Sequence, residues 1–371
     1  MTVLSRLRVR IGRQAAPASS AAAIDLGDPA VAIDPFPHYE RLRSAGDVHF
    51  LPRHGFWLVL GYEPVKAAFA QPQLFSSSWR GEVDRVLLGA DPPRHAPMRR
   101  IVARFFGAEA LDRLAATASA TAERLVRPEL DIVGDYAAPL ARGVAAALIG
   151  FDEETVAEIL ALGRRPLAEL TASLDSLAHH AALYRPLVGE QGGAIGDAEA
   201  RSLIRLLWLA STASTERIIS FGVLRLLRDE AARRAVAADR RLVGPLIEEV
   251  LRLHPAEHII LRRTTAPTTL AGIDIPAQAE VQLCVAAANR DPARFDDPAA
   301  LRLDRPTRRH LAFGGGIHQC VGAPLSRRVA AAAMATLLDH MTDLRPLQPL
   351  DEIPYLRTLS ELAPERLAVA L

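Results

Sequence analysis

A glycine-rich loop with a single cysteine, residues 313–322, constrains this chain more than any other segment. It reads Phe-Gly-Gly-Gly-Ile-His-Gln-Cys-Val-Gly, and a run of helix-forming residues follows Cys320. Glycines let a backbone turn tightly and bring amide N–H groups close to a sulfur atom or a flat ligand. The positive end of the following helix favours thiolate over thiol. The segment therefore predicts a cysteine that can serve as a metal ligand.

Composition excludes several other classes of function. The 371 residues carry 44 basic and 43 acidic side chains, and this net charge of +1 argues against a nucleic acid as the main partner. The second cysteine, Cys284, lies in an apolar strand pattern, so no disulfide framework is expected and a reducing cytoplasm fits best. No apolar run reaches about 18 residues, so neither a spanning helix nor a membrane partner is expected.

The order of predicted elements indicates a mainly α-helical fold with a minor β region. Helical periodicity covers residues 99–106, 111–125, 136–149, 154–162, 166–187, 197–227, 243–253 and 324–340, with a glycine-rich break at 189–196. Strand patterns cover two segments within 48–60, then 259–263, 268–270 and 280–285. Residues 1–25 are expected to form a disordered tail rather than a targeting leader, because no apolar segment or cleavage signal follows them. Residues 26–371 are expected to form a single domain.

The cysteine loop resembles the heme-binding signature of the cytochrome P-450 superfamily, F-G-x-G-x-H-x-C-x-G, and fills every fixed position. The resemblance implies that Cys320 ligates the iron of heme b. It also implies that Phe313, Gly314, Gly316 and Gly322 shape the loop beside the cofactor. The expected architecture is the cytochrome P-450 fold, in which heme lies between a long distal helix and this proximal loop.

Further motifs extend the resemblance over roughly residues 34–371. Glu249 and Arg252 fill the family's E-x-x-R motif, and Arg305 follows the segment that supplies a second arginine. A glutamate and an arginine three positions apart share a helical face and can form a bidentate ion pair. The three residues are expected to lock the coil beneath the heme, in a structural role. A solvated surface pair, worth ~0–1 kcal/mol, is the alternative.

Four cationic residues match the family positions that hold the two heme propionates. His95 and Arg99 lie four positions apart and share one helical face, and His318 precedes the cysteine by two residues. Arg262 lies on a predicted strand, where the neighbouring Arg263 is the alternative. Planar, paired guanidinium donors suit carboxylates.

The distal helix departs from the family pattern. Relatives carry A-G-x-[D/E]-T here, whereas this chain carries Ala210, Ser211, Thr212, Ala213 and Ser214. The register rests on spacing, because Ser214 lies 35 residues before Glu249. A register with Glu216 as the acid is less favoured, since it places Arg217 at the alcohol position.

Replacement of the acid by Ala213 changes the expected proton supply. Ser214 can still donate a hydrogen bond to oxygen, but protons must arrive through water, Ser211, Thr212 or the substrate itself. The distal cap is also expected to be short, because Ala210 follows Gly150 by only 60 positions. A short cap predicts either an open face for a bulky or carrier-bound substrate, or merely a compact cover.

The resemblance implies a heme-thiolate oxidoreductase, a monooxygenase acting on a small-molecule natural product. Because the distal acid is missing, an atypical reaction is the alternative: oxidative coupling, dehydration, isomerisation or nitrogen transfer. A degenerate member that only recruits a partner is a third reading, disfavoured because the ligand cysteine is kept. The expected electron donor is a ferredoxin-type protein. Candidates for its docking face are Arg99, Arg100, Arg104, Arg308, Arg309 and Arg327.

Overall fold

The fold was analysed in a computed structural model that describes residues 25–26, 28, 31, 34–78, 86–161, 167–189, 195–306, 309–341, 343–358 and 360–371. Three sequence predictions lie wholly or largely outside these residues. They are the disordered tail at 1–25, the glycine-rich break at 189–196 and the docking candidate Arg308. Much of the connection between Ser78 and Asp91 lies outside them as well.

Helices dominate the described part of the chain. Their bounds are α1 Phe36–Arg43, α2 Tyr62–Ala70, α3 His95–Ala103, α4 Ala108–Leu125, α5 Ala138–Ile149, α6 Glu153–Ala161, α7 Leu167–Leu177, α8 Tyr184–Val188, α9 Asp197–Arg228, α10 Glu230–Ala238, α11 Val243–Leu253, α12 Val285–Ala288 and α13 Ala323–His340. Helices α2, α10 and the short α12 were not predicted, whereas the predicted long distal helix corresponds to α9.

Short strands form four small sheets. Their bounds are β1 Val48–Leu51, β2 Phe56–Val59, β3 Phe75–Ser76, β4 Glu129–Asp131, β5 Ile259–Thr264, β6 Thr268–Leu270, β7 Ile273–Ile275, β8 Glu280–Cys284, β9 Arg345–Pro346, β10 Tyr355–Arg357, β11 Leu362–Pro364 and β12 Ala368–Ala370. The largest sheet has the order β1-β2-β8-β5-β3, in which only β2 and β8 run parallel. This sheet carries Arg262 on β5. The fold class, mainly α with a minor β region, is confirmed.

Helix α9 is the central element of the core. Its 32 residues pack against α5, α11 and α13, and its second half is buried almost without interruption. A helix that is apolar on all sides is stable only inside a protein. The helix begins where the Gly196 N–H donates to the Glu199 carboxylate at 3.1 Å, and it ends before Asp229, which caps α10. The second half of α9 packs against α13, the helix that follows the cysteine loop, and Gly222 faces Met334 there.

The helix predicted over residues 166–187 is interrupted, so this prediction was wrong in its continuity. Helix α7 ends at Leu177, a 3₁₀ turn covers Ala178–His180, and α8 begins only at Tyr184. The intervening amides of Ala182 and Leu183 donate to the carbonyls of Gly150 and Ile149 at the end of α5, at 2.9 and 3.2 Å. Tertiary hydrogen bonds therefore replace the intrahelical ones that a continuous helix would form.

The segment Ile132–Ile149 is the one place in the described residues that bears on the expectation about spanning helices. A π-helical turn at Ile132–Ala137 continues into α5, and the whole segment is long and apolar enough to cross a membrane by length and composition. However, 67% of it is buried inside the protein, against α4 and α9. That burial is the pattern of a core helix.

Candidate functional site

The cysteine loop folds into a tight turn that presents Cys320 at its end. The Cys320 N–H donates to the Phe313 carbonyl at 2.9 Å, which closes the loop at its base. Gly314 and Gly316 both adopt left-handed backbone angles, with φ of +66° and +62°. Residues with a side chain rarely adopt such angles. The thiol is exposed, and α13 starts three residues later at Ala323.

Gly316 is fixed by its surroundings as well as by its φ angle. A Cβ atom there would lie 2.0 Å from the backbone carbonyl oxygen of Phe69 on α2, whereas one at Gly314 meets no atom within 4 Å. We therefore expect Gly316→Ala to displace the loop and remove most bound heme. Gly314→Ala is the matched control, which should cost only the left-handed strain of about 1–2 kcal/mol. Heme-to-protein ratios of the two purified variants test this, and equal heme content would contradict it.

The electrostatics of Cys320 only partly match the sequence expectation. The sulfur is exposed on one side, but packed protein on its other sides desolvates it and raises the thiol pKa. Backbone N–H groups of Gly322 and Ala323 and the charges of Arg99 and Arg327 oppose this and lower the pKa. The loop amides therefore point at sulfur as predicted, yet they do not by themselves favour the thiolate. A cation bound at the sulfur is needed to stabilise the ionised form.

Two histidines from distant parts of the chain meet beside the loop. The rings of His95 on α3 and His318 are 4.6 Å apart, edge to face, and both side chains are buried. Among the described residues, no group forms a hydrogen bond with His95 Nε2 or with either ring nitrogen of His318. Buried polar atoms without a partner are rare in proteins. They indicate that a polar ligand group belongs at this position.

Arginines complete this cationic group. Arg262 is buried on β5 and its charge lowers the pKa of His318, while Arg263 is exposed. The pairing of Arg262 with Val281 on β8 sets this register, so the structure favours Arg262. Arg99 is half-buried and interacts with both His95 and Cys320.

Both histidines of this group are disposed to be neutral, so its positive charge comes from Arg99 and Arg262. Desolvation and the Arg99 charge lower the pKa of His95, while desolvation, Arg262 and His95 lower that of His318 to about 4. Asp91 opposes both shifts, and its Oδ1 lies 3.7 Å from His318 Nε2. Sequence reasoning did not single out Asp91, although it lies only four residues before His95.

The predicted triad beneath the loop is confirmed. Arg252 binds Glu249 through two hydrogen bonds of 2.7 and 2.8 Å, and Arg305 Nε donates to the same carboxylate at 3.2 Å. Arg252 also donates to the carbonyls of Asn289, Pro298 and Ala300, at 2.6–3.1 Å. Glu249 and Arg252 are both buried. The alternative of a solvated surface pair is therefore wrong, and the triad anchors the coil 289–305.

The proposed docking arginines separate into different groups. Arg100, Arg104 and Arg309 are exposed, in keeping with an interaction surface. Arg327 is instead bound to Glu248 through hydrogen bonds of 2.5 and 3.1 Å. Its guanidinium donors are therefore already used inside the protein.

The middle of α9 differs from both ends of the helix. Ala210 and Ala213 are exposed, although the helix is buried around residues 202–208 and 217–224. Ser214 shares this face, and its hydroxyl donates to the Ala210 carbonyl at 2.6 Å. Residues at positions i, i+3 and i+4 lie on one side of a helix. The chain thus presents a small, nearly apolar surface at the predicted distal position.

The other two distal hydroxyls are engaged within the helix. Ser211 donates to the Leu207 carbonyl, and Thr212 donates to the Trp208 carbonyl at 2.9 Å. Each would have to break that bond before it could pass a proton outward. Of the candidate relay residues, Ser214 is the one on the exposed face with Ala210 and Ala213.

These residues together fit a heme group. An exposed thiol lies at the end of the loop, and a Cβ at Gly322 would already be in van der Waals contact with its sulfur, at 3.7 Å. The two histidines with partnerless ring nitrogens and the two arginines suit a pair of carboxylates. Among the described residues, no cluster of three or more His, Cys, Asp or Glu side chains suggests a separate metal site.

Comparison with known proteins supports the same interpretation. The family model described as Cytochrome P-450 matches residues 219–351. The chain is 32% identical over 356 residues to cytochrome P-450 monooxygenase PikC of Streptomyces venezuelae, covering 84% of this chain and 85% of that protein. It is 31% identical to cyclomarin C epoxidase CymV of Salinispora arenicola, covering 77% and 83%.

Solved structures agree with the fold. The substrate-free cytochrome P-450 CYP150A6 of Mycobacterium marinum superposes with a TM-score of 0.84 at 26% identity, covering 95% of this chain and 99% of that one. CYP109E1 of Bacillus megaterium in complex with corticosterone superposes with a TM-score of 0.82 at 26% identity, covering 91% and 98%.

Proposed function

The chain belongs to the cytochrome P-450 family, a family of heme b oxidoreductases, and on that premise we propose that it is a heme-thiolate monooxygenase of natural-product biosynthesis. Residues 26–371 form its single heme domain, and Cys320 is the iron ligand. The observation that carries the proposal is the convergence of the exposed Cys320 thiol with the cationic group formed by His95, Arg99, Arg262 and His318.

Each residue of the site has a definite task in this proposal. Bound heme supplies the iron that activates dioxygen, and a thiolate ligand favours cleavage of the O–O bond. Cys320 binds the iron, and amides of the following turn orient its sulfur. Two propionates would accept hydrogen bonds from the nitrogens of His95 and His318, with Arg262 and Arg99 balancing their charge. The heme face opposite Cys320 would then be covered by Ala210 and Ala213.

Proton supply is the step where this chain differs from the family pattern. Ser214 Oγ can release its hydrogen bond to Ala210 and hold a proton at the distal surface, but Ala213 has no group that can replenish it. Water or a polar group of the substrate must therefore deliver the next proton. The missing acid at position 213 also supports a second candidate function, an atypical reaction that needs no proton relay.

The substrate and the electron donor are proposed from different observations. Relatives named pentalenic acid synthase and cyclomarin C epoxidase support a natural-product substrate, which a short cap over α9 could admit even when it is bulky or carrier-bound. The exposed Arg100, Arg104 and Arg309 support a ferredoxin-type donor with an acidic surface.

One set of assays separates the candidate functions. The reduced, CO-bound protein should show the red-shifted Soret band of thiolate-ligated heme. Consumption of NADPH through a ferredoxin pair, with label from isotopic dioxygen in the product, would support monooxygenation. Product formed without reductant would favour the atypical reaction, and protein that never takes up heme would contradict both.

Changing Ala213 to Asp tests the role of the missing acid. The carboxyl group should replenish the Ser214 proton, so the share of NADPH electrons released as peroxide should fall several-fold. Ala213→Asn is the matched control, because it adds the same volume without an ionisable group. Peroxide and product are measured per NADPH consumed. Equal coupling in the two variants would show that volume rather than proton transfer causes any change.

A further inference from the structure

Two adjacent glutamates on α11 bind different parts of the proximal side. Glu249 holds the predicted triad, whereas Glu248 contacts residues on both sides of the cysteine loop. His310 precedes the loop in sequence, and its Nε2 lies 3.3 Å from the Glu248 carboxylate. Arg327 follows the loop and donates to the same carboxylate at 2.5 and 3.1 Å. Sequence reasoning missed this carboxylate, since its partners are 62 and 79 positions away.

The contact from Arg327 continues to the base of the loop. Its guanidinium carbon lies 4.5 Å from the ring centre of Phe313, and the Phe313 carbonyl accepts the hydrogen bond from the Cys320 N–H. Stacking of a guanidinium on an aromatic face is favourable and fixes both groups. A continuous set of contacts therefore joins Glu248 to the backbone of Cys320.

The same network carries charge close to sulfur. Burial opposes ionisation of Glu248, but the two hydrogen bonds from Arg327 and the nearby His310 outweigh this effect and lower the Glu248 pKa to about 2. Glu248 is therefore ionised at neutral pH. The positive charge of Arg327 lies over the ring of Phe313, the residue whose carbonyl binds the Cys320 N–H. Glu248 partly neutralises that charge.

We propose that Glu248 is a positioning residue that closes the cysteine loop through His310 and Arg327, and that the Glu248–Arg327 pair sets how strongly the Cys320 thiolate donates electrons to iron. This rests on the proposed function, in which Cys320 ligates heme. Partners that orient a ligand typically change metal affinity or activity by about 10–100-fold when removed.

The test compares the reduction potential of three purified holoproteins. Glu248→Gln leaves Arg327 positive and unbalanced, which should stabilise the reduced, more negative state and raise the potential. Arg327→Gln removes the positive charge and should lower it. Arg328→Gln is the matched control, since the adjacent Arg328 pairs with exposed Asp112, and it should leave the potential unchanged. Because Arg327 is partly exposed, its variant keeps the test possible if Glu248→Gln folds poorly.

Loop closure is measured on the same proteins. Heme loss to an acceptor protein should be about 10-fold faster in Arg327→Gln than in Arg328→Gln. Arg327→Lys should keep the reduction potential of the wild type but lose heme faster, because lysine keeps the charge without the paired donors. Shifts of both potentials in the same direction, or variants indistinguishable from Arg328→Gln, would overturn the proposal. A wild-type protein without the thiolate-type CO band would instead refute the proposed function, and this role with it.

Discussion

Replacing Cys320 with alanine should abolish the thiolate-type band of the reduced CO complex and all NADPH-dependent product formation. The loop would keep its glycines and its hydrogen bonds, but it would lose the sulfur that ligates iron. The other cysteine cannot substitute, because Cys284 is fully buried and burial raises its thiol pKa to about 12. The thiolate-type CO band should therefore disappear in Cys320→Ala rather than persist through ligation by the other cysteine.

Cys284→Ala provides the matched control for this variant. It removes the same atom from a strand in the core and should leave the CO spectrum unchanged, at a modest cost in stability. The two variants and the wild type are compared by CO difference spectra at equal protein concentration. A thiolate-type band that persists in Cys320→Ala, or disappears in Cys284→Ala, would contradict the ligand assignment.

Arg252→Ala should be the most destabilising change in the described part of the proximal side. It removes both hydrogen bonds to Glu249 and the donors to three carbonyls of the coil 289–305. Removing one partner of a buried ion pair typically costs about 3–5 kcal/mol, since the other charge stays buried and unpaired. Loss on this scale approaches the total stability of many proteins, about 5–15 kcal/mol. Most of the protein should then be recovered without heme.

Urea unfolding followed by circular dichroism measures this effect. Arg241→Ala is a suitable control, because Arg241 forms bidentate contacts with Asp239 on the surface and is almost fully exposed. Its midpoint should match that of the wild type. A midpoint for Arg252→Ala close to that of the control would mean that the triad contributes little to folding.

The parts of the site that were predicted from sequence depend on closely spaced residues. The cysteine loop and the Glu249–Arg252 pair are local patterns whose residue types permit few arrangements. The choice between Arg262 and Arg263 was not local, because it depended on how β5 pairs with β8. Patterns within one segment cannot fix such a register.

The features that sequence reasoning missed are formed by distant segments. Strand β12 pairs with β4, more than 200 residues earlier, so the end of the chain gave no readable strand pattern. The break between α7 and α8 arises from hydrogen bonds to α5. The Glu248 network likewise joins three separate segments. In each case the partner, rather than the segment itself, decides the structure.

The exposed alanines in the middle of α9 separate the stability of the helix from the surface that the helix presents at the distal position. The helix is held by its buried stretches at 202–208 and 217–224, whereas Ala210 and Ala213 are exposed between them. Substitutions at these two positions should therefore act on the heme face that they cover rather than on the packing of the helix. A new regioselectivity could arise there by drift, one substitution at a time, without a compensating change elsewhere.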